Sequence, residues 1–365
     1  MIWLVGALCG AAAAYQILAI VAAFRHLGRR DPACTRFPGI SVLKPVRGRD
    51  SRFFEAIRSH ALLRYPEFEL LFGVRDHGDA ALADIDRLRS EFPRVAIRVV
   101  FATTPAPNGK VGVLHDLALE AKHPVFVVND SDILVQPDYL QQVIAPLEDP
   151  HVGLVTCLYR ATADSAAARW EALGIATDFA PSALVAPLVG VKEFGLGSTL
   201  AFRAADLQRL GGFGAVADYI ADDYQIGKRI SQLGLRVWLS RTVVQTHLGA
   251  GSWADVWAHQ LRWARTIRLS RGAYLGLPIS NATLWALLAG GLGMFPLAAT
   301  LLLLRVTSGL LTAKAVLADK QAFFLMPFRD LWGFAVWCAA LRGKNVIWRD
   351  QKLLLDAQGR ITSVR

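Results

Sequence analysis

Val125-Phe126-Val127-Val128-Asn129-Asp130-Ser131-Asp132 is the stretch whose reading decides the fold. Its four consecutive apolar residues, mostly β-branched, read as a strand buried on both faces, the kind that parallel sheets contain. The run then stops on two carboxylates two residues apart. In an extended chain, residues i and i+2 project to one side, so Asp130 and Asp132 are expected to face a single ligand. Oxygen ligands of this kind suit Mg2+ or Mn2+. The alternative is an ordinary strand-to-loop turn, where aspartate is common.

Outward from this strand, short β-branched runs alternate with helical patterns. Ile40 to Leu43, Phe68 to Val74 and Ala96 to Phe101 are the other candidate strands, and Arg52 to Leu63, Ala80 to Phe92 and Val111 to Ala121 read as helices between them. This alternation predicts an α/β fold with a mostly parallel sheet, in one domain from Phe37 to about Leu277. Ligands of such folds bind beyond the carboxyl ends of the strands. Lys44-Pro45, Asp76 and Asp130-Ser131-Asp132 fall there.

The flanks are membrane-like. Ile2 to Phe24 carries no charge and is long enough to cross a bilayer, and Arg25, His26, Arg29 and Arg30 follow at once. Basic residues stay cytoplasmic, so residues 1–24 are expected to be a transmembrane anchor that leaves the α/β domain in the cytoplasm, at the inner membrane. A second uncharged run, Ala282 to Leu304, predicts another crossing. A third apolar run, Gln321 to Leu341, contains Arg329 and Asp330, which lipid tolerates only if they are paired, interfacial or facing a cavity. It spans or dips, giving about two C-terminal transmembrane helices within 282–341. The stretch from Val306 to Ala318, interrupted by Lys314, reads either way. Residues 342–365, with Arg342, Lys344, Arg349 and Lys352, are expected to form a basic cytoplasmic tail.

Composition agrees. Apolar residues make up 53% and charged residues 19%, which suits a partly lipid-embedded protein. The net charge of +10 favours phospholipid headgroups and nucleotide phosphates. No lysine-rich tail or aromatic RNA-binding signature points to nucleic acid. The four cysteines are scattered, with neither a disulfide framework nor a zinc spacing.

Three further segments could carry chemistry. Asp222-Asp223 precedes the helical pattern Gln225 to Leu233, where a carboxylate caps the helix, serves as a general base, or does one at each position. Trp253 to Arg271 as a helix places Trp253, Val256, Trp257, Ala264 and Ile267 on one face with Arg262 and Arg265 roughly opposite. That is an interface-lying pattern, or a plain surface helix. Eight of the ten tryptophans lie from Trp238 onward, which favours the interface. Arg262 has the planar fork that pairs with diphosphate oxygens. Lys44 and Lys110 are phosphate-binding candidates against the alternative of solvated surface charges, and His247 is a metal ligand or a structural histidine. Gly195-Leu196-Gly197-Ser198-Thr199 permits close backbone approach to a ligand, or is simply a turn.

Ordered along the chain, Ser41-Val42-Leu43-Lys44-Pro45, Val74-Arg75-Asp76-His77, Asp130-Ser131-Asp132, Gly197-Ser198, Tyr219-Ile220-Ala221-Asp222-Asp223-Tyr224 and Arg262-Trp263 resemble the ceramide glucosyltransferase family. Its catalytic domain has the GT-A nucleotide-sugar fold, and its bacterial relatives include enzymes that glycosylate hopanoid lipids with N-acetylglucosamine. The resemblance implies transfer of glucose or a related sugar from a UDP-sugar to a membrane lipid, with inversion. It places Asp76 and Asp130 in nucleotide binding, to which Lys44, Pro45 and Lys110 are added. It places Asp132 at the metal, Asp223 as base and Arg262-Trp263 near the diphosphate. Asp130 and His247 are further candidate metal ligands, and Gly197, Ser198, Asp222 and His259 are assigned to the acceptor side. The family's Gln/Arg-x-x-Arg-Trp element reads His259-Gln260-Leu261-Arg262-Trp263 here, so a histidine stands at its first position. A processive polysaccharide synthase and a non-catalytic nucleotide-sugar-binding protein are the alternatives; the first needs a pore of several crossings, and the second has no use for all three carboxylates.

Overall fold

A computed structural model describes residues 2–249, 251–270, 272–318, 322–348 and 351–364. Arg271, Gln321 and Arg349, members of segments delimited above, lie outside the described residues. In chain order the helices are α1 (Ile2–Gly28), α2 (Phe53–Ala61), α3 (Ala81–Glu91), α4 (Gly109–Glu120), α5 (Tyr139–Ile144), α6 (Ala166–Gly174), α7 (Ala180–Val185), α8 (Ala204–Arg209), α9 (Asp222–Gln232), α10 (Trp253–Ser270), α11 (Ala282–Gly291), α12 (Phe295–Ala315) and α13 (Met326–Ala340). The strands are β1 (Ile40–Pro45), β2 (Phe68–Val74), β3 (Ala96–Phe101), β4 (Val125–Val128), β5 (Val152–Ala163), β6 (Leu200–Arg203), β7 (Arg236–Leu248), β8 (Asn345–Trp348), β9 (Gln351–Leu355) and β10 (Ile361–Val364).

The first seven strands form one sheet in the order β3-β2-β1-β4-β6-β5-β7. β1 to β4 are parallel, β6 runs antiparallel to β4 and β5, and β5 pairs in parallel with β7. Both faces are covered, as a continuous apolar strand requires. Val125 and Val127 of β4 join Ile40, Val42, Phe53, Leu70 and Tyr139 in one buried layer, while Phe126 and Val128 join Leu43, Leu114, Phe202 and Ile226 in the other. The mixed α/β architecture and the first four strands therefore match the expectation. The carboxyl ends of the parallel strands carry the candidate residues.

Three helices are long and apolar enough to cross a membrane: Ile2–Gly28, the continuous helix Ala166–Val189 and Phe295–Ala315. The second was not expected, because Arg169, Glu171 and Asp178 hide it from a search for uncharged runs. Its 24 residues rise about 36 Å, yet β5 before it and β6 after it belong to the same sheet. A helix whose two ends return to one sheet lies along the boundary more readily than it crosses. Its residues Ala176, Ala180 and Leu184 pack with Ala19, Ala22 and Ala23 of α1 and with Ala313 and Val316 at the end of α12.

The expected single crossing from Ala282 to Leu304 is instead two helices, α11 and α12. Gly293 adopts φ +78 between them and Pro296 sits in the first turn of α12, where its missing N–H matters least. The uncharged count hid this break. Arg329 and Asp330 of α13 are buried and satisfied by partners other than each other. Arg305 Nε donates to Asp330 Oδ2 at 2.9 Å, its Nη2 to Asp178 Oδ1 at 2.9 Å and its Nη1 to the Thr177 carbonyl at 3.0 Å. Thr283 Oγ1 donates to Asp330 Oδ2, and Arg329 Nη2 lies 3.4 Å from Asp178 Oδ2. One guanidinium thus ties α12 to α13 and to the boundary helix.

The residues expected to be a basic tail form a second sheet, β10-β9-β8. Leu353, Leu355, Val346 and Ile361 are buried with Leu269 of α10, while Gln351, Lys352 and Leu354 are exposed. The period-two alternation that makes this sheet was obscured by counting only its charges. Ile361 N donates to the Asp218 carbonyl at 2.7 Å, and Ile220 N to the Gly359 carbonyl at 3.3 Å. The sheet is therefore docked on the loop that leads into Asp222.

The ion network predicts its own test. Breaking a buried pair leaves an uncompensated charge, which costs on the order of 3–5 kcal/mol. Asp330→Ala should lower the thermal unfolding midpoint of the detergent-solubilised protein markedly, and Arg305→Met combined with Asp330→Leu should lower it less.

Candidate active site

β4 ends at Val128, and Asn129 turns inward. Its Nδ2 donates to the Tyr139 hydroxyl at 2.9 Å and to the Ser198 carbonyl at 2.7 Å, and its Oδ1 lies 3.3 Å from His60 Nε2. A fully buried, fully used amide clamps the end of β4 to the segment before β6. Beneath it, Lys44 is wholly buried, and its Nζ donates to the Asp130 carbonyl at 3.0 Å. Burial holds the Lys44 ammonium down to about 7, against the opposing pull of Asp132 and Asp130. Lys44 thus meets the backbone of the acidic turn and is not a solvated surface charge.

The premise that Asp130 and Asp132 share one side of an extended chain is corrected. Residues 131–132 form a turn, with Ile133 N donating to the Asp130 carbonyl at 3.3 Å, so the two side chains have separate neighbours. Asp130 Oδ1 meets Lys110 Nζ at 2.7 Å. Asp132 accepts a hydrogen bond from Thr246 Oγ1, because the bridge between Leu134 and Gln245 draws this turn to the end of β7. They remain electrically coupled. Burial first, then the Asp130 charge and the Asp50 charge, push the Asp132 carboxyl up, while Thr246 acts the other way.

Lys110 lies in the first turn of α4, which Asn108 caps by accepting from Lys110 N at 3.1 Å. The Asn108 amide also donates to the Tyr219 carbonyl at 2.7 Å, tying this helix start to the loop before α9. Lys110 Nζ consequently stands 2.7 Å from Asp130 Oδ1 and 3.6 Å from Asp222 Oδ2. Burial acts to lower its pKa, but Asp130, Asp222 and Asp223 together raise it above the ordinary lysine value.

Asp223 occupies the start of α9. Its Oδ2 accepts from Gly197 N at 2.9 Å and its Oδ1 from Tyr224 N at 2.7 Å. A Cβ placed on Gly197 would stand 3.4 Å from both Asp130 Oδ2 and Asp223 Oδ2 and 3.8 Å from Lys110 Nζ, so these three groups surround one point. The approach depends on glycine: a Cβ on Gly195 would lie 2.3 Å from the Asp223 carbonyl oxygen, and one on Gly227 would lie 2.0 Å from that of Phe194. The glycine segment is therefore closed on the chain's own α9 at Gly195. Burial first, then Asp222, push the Asp223 carboxyl up to about 6, with Lys110 pulling down. The neighbouring Asp222 is buried and raised by the same burial, and it faces Lys110.

A cavity of about 320 Å³ adjoins this cluster, lined by Asp50, Asp132, Glu171, His247, Asp255 and His259 among others. His247 Nδ1 lies 3.1 Å from Thr162 Oγ1 and its Nε2 3.3 Å from Asp164 Oδ2. His259 sits 2.5 Å from buried Glu171 and packs its ring on Trp263 at 4.5 Å. Arg262 and Trp263 lie on the same face region of α10, half-buried. Ser198 turns into the core, donating to the Cys157 carbonyl at 3.0 Å, and so stands behind the site. Asp76 is exposed at the end of β2, with Oδ1 accepting from Gly78 N at 2.8 Å, and Pro45 closes β1 beside Lys44. The expected interface face of α10 is divided: Trp253 and Ile267 are exposed, while Val256 is buried and Trp257 packs on Trp332 of α13 at 5.2 Å. A larger open depression, about 680 Å³ between Asp86 and Arg98, holds none of these groups.

Sequence reasoning missed Asn129, Asp50, Glu171 and Tyr159. Asn129 stood inside the deciding stretch, so a buried polar residue between a core strand and an acidic turn was a signal within reach. The other three are joined to the site only by tertiary folding.

Comparisons with known proteins bear on this geometry. A family model described as glycosyl transferase family 21 matches residues 3–361. Ceramide glucosyltransferase 1 of Caenorhabditis elegans is 22% identical over 355 residues, covering 92% of this chain and 75% of that protein. Ceramide glucosyltransferase 3 of the same organism is 27% identical over 210 residues, covering 56% of this chain and 45% of that protein. A solved mannosyltransferase from Pyrobaculum calidifontis, in complex with GDP-Man and Mn2+, is similar in fold with a TM-score of 0.58 at 20% identity, over 92% of this chain and 97% of that one.

The charge cluster predicts a titration. Lys110 lowers the Asp223 carboxyl, so Lys110→Met should move it above about 6, read by 13C-carboxyl NMR of the solubilised protein.

Proposed function

The chain belongs to glycosyl transferase family 21, and on that premise we propose that it transfers a hexose or N-acetylhexosamine from a UDP-sugar to a lipid hydroxyl, with inversion, at the cytoplasmic face of the inner membrane. The observation that carries the reading is Asp223: a carboxylate fixed by Gly197 N and raised to about 6, beside the Lys110–Asp130 pair. At neutral pH such a group is ionised yet basic enough to accept a proton, which is what general base catalysis asks of it. The ceramide glucosyltransferase relatives support a glycolipid product, of ceramide, another sphingolipid or a hopanoid.

In the proposed reaction the acceptor hydroxyl oxygen attacks the anomeric carbon from the face opposite the diphosphate. The C–O bond to the diphosphate breaks and its electron pair leaves with UDP, while the hydroxyl proton passes to Asp223. Lys110 lies where a cation can balance the three carboxylates and the phosphate charge, and Arg262 of α10 is the planar donor for diphosphate oxygens. Asp76 and Pro45, at the ends of β2 and β1, border the nucleotide side, and Lys44 holds the acidic turn from below.

The residues fit a divalent cation. Asp132 is disfavoured as an anion by its burial and by Asp130 and Asp50, and it shares a cavity with His247. Among the described residues no three such groups already stand in ligand arrangement, so donor phosphate oxygens would complete the set. Mg2+ or Mn2+ held at Asp132, with Asp130 and His247 as further ligands, would supply Lewis acidity toward the departing diphosphate. The inside-to-outside charge pattern of α1, with Arg25 and His26 in its last turn, supports the cytoplasmic orientation.

Asp223→Asn should reduce lipid glycosylation by about 10²–10⁴-fold while leaving UDP-sugar affinity within about twofold, measured by product mass spectrometry and calorimetry. Equal loss of affinity would make Asp223 a structural cap. For the unsubstituted enzyme, protonation removes the base, so kcat/KM should fall as pH drops through about 6. Exhaustive chelation should abolish transfer, with recovery on adding Mn2+ or Mg2+; undiminished activity would remove Asp132 from the metal role.

A further inference from the structure

Glu171 of α6 is a buried carboxylate with one oxygen in use. Oε1 lies 2.5 Å from His259 Nδ1, whereas Oε2 is buried and has no hydrogen-bond partner. The side chain is 1% exposed, and both residues line the cavity that contains Asp132. An unpartnered buried polar group costs about 1–3 kcal/mol, and more when charged, so a buried carboxylate oxygen left in this state calls for a donor from outside the chain. Its sequence neighbour Trp170 presents the opposite lack, an indole N–H that is buried and unpartnered.

Around these groups stands an aromatic wall. Trp170 lies 5.9 Å from Trp253 and 6.0 Å from Trp332; Trp253 lies 6.0 Å from Trp332, and Trp257 meets Trp332 at 5.2 Å. The indoles come from α6, α10 and α13, and Trp253 is half exposed. An unused acceptor and an unused donor at the foot of an apolar wall match an amphiphile, with its headgroup in the cavity and its chain along the indoles. Tyr159 of β5 links this place to the reacting groups. After burial, the charges of Glu171, Asp132, Asp130 and Asp223 all hold its phenol up, so it lies within reach of both.

We propose that Glu171 and His259, with the tryptophans of α6, α10 and α13, form the acceptor-headgroup subsite, which takes a lipid bearing a hydrogen-bond donor in addition to the hydroxyl that is glycosylated. This rests on the lipid-glycosylating reading above. The His259 ring donates from Nδ1 to Glu171, which leaves Nε2 of the neutral ring to accept from the headgroup. Glu171 Oε2 accepts the second donor, and Trp170 Nε1 donates to a headgroup oxygen. Both Glu171 and His259 are positioning residues here; the proton acceptor remains Asp223.

The test compares a long-chain 1,2-diol with the monohydroxy alcohol of equal chain length, using the full-length protein in detergent. In Glu171→Gln the amide oxygen keeps the His259 bond and presents an N–H where the free carboxylate oxygen stood. The KM for the diol should rise about tenfold or more, the KM for the monohydroxy acceptor should stay within about twofold, and UDP-sugar hydrolysis by water should be unchanged. Trp170→Phe, which keeps the ring and removes only the N–H, should shift the diol in the same direction. An unchanged diol KM in both variants would overturn the proposal. So would parallel loss of UDP-sugar hydrolysis in both, which would make the pair structural. Failure of the underlying reading looks different: the unsubstituted protein would then hydrolyse or bind the donor while glycosylating neither lipid.

Discussion

One buried ammonium holds the site together. Asp130, Asp222 and Asp223 come from two segments far apart in sequence, and like charges this close repel unless a cation stands among them. Lys110 is that cation, 2.7 Å from Asp130 and 3.6 Å from Asp222. Its own position follows from Asn108, which caps α4 and grips the Tyr219 carbonyl, so the cation and the loop before Asp222 move as a unit. The remaining features of the site can be read as ways of delivering carboxylates to this charge.

Delivery is done by backbone contacts that only small or fully satisfied residues permit. Gly195 and Gly227 let α9 press against the segment before β6, which brings Asp223 to Gly197 N. Asn129 fixes the end of β4 to Ser198, so Asp130 arrives at the same point from the other side. The C-terminal sheet completes the frame. It rests on Leu269 of α10 and bonds to Asp218 and Ile220, joining the helix that carries Arg262 and Trp263 to the loop that carries the base. A cytoplasmic-looking tail thereby becomes part of the catalytic scaffold.

The membrane half follows a different rule. Apolar small residues, Ala19, Ala22, Ala23, Ala176, Ala180 and Ala313, allow close helix packing, and buried charges are gathered around Arg305. Close packing of small side chains is what helices in lipid rely on, since burial from water offers no drive there. The arrangement seats the boundary helix, with Trp170 and Glu171, against α10 and α13, and this is where the cavity meets the aromatic wall.

The sequence by itself determined the parallel half of the sheet, the helices between its strands, the N-terminal apolar helix and the types of residue at the strand ends. Each of these is written in local periodicity: β4 shows as an unbroken apolar run, α9 as an acidic start followed by helical spacing. Tertiary structure alone decided which way Asp130 and Asp132 point, because a turn of a few residues has no period to read. It alone decided that residues 166–189 are one helix, since the charges within it are satisfied by Arg305, Arg329 and His259 from elsewhere in the chain. It also decided that residues 345–364 form a docked sheet. Pairings between residues tens or hundreds of positions apart leave no mark in a local pattern, and the site of this protein is made almost wholly of such pairings.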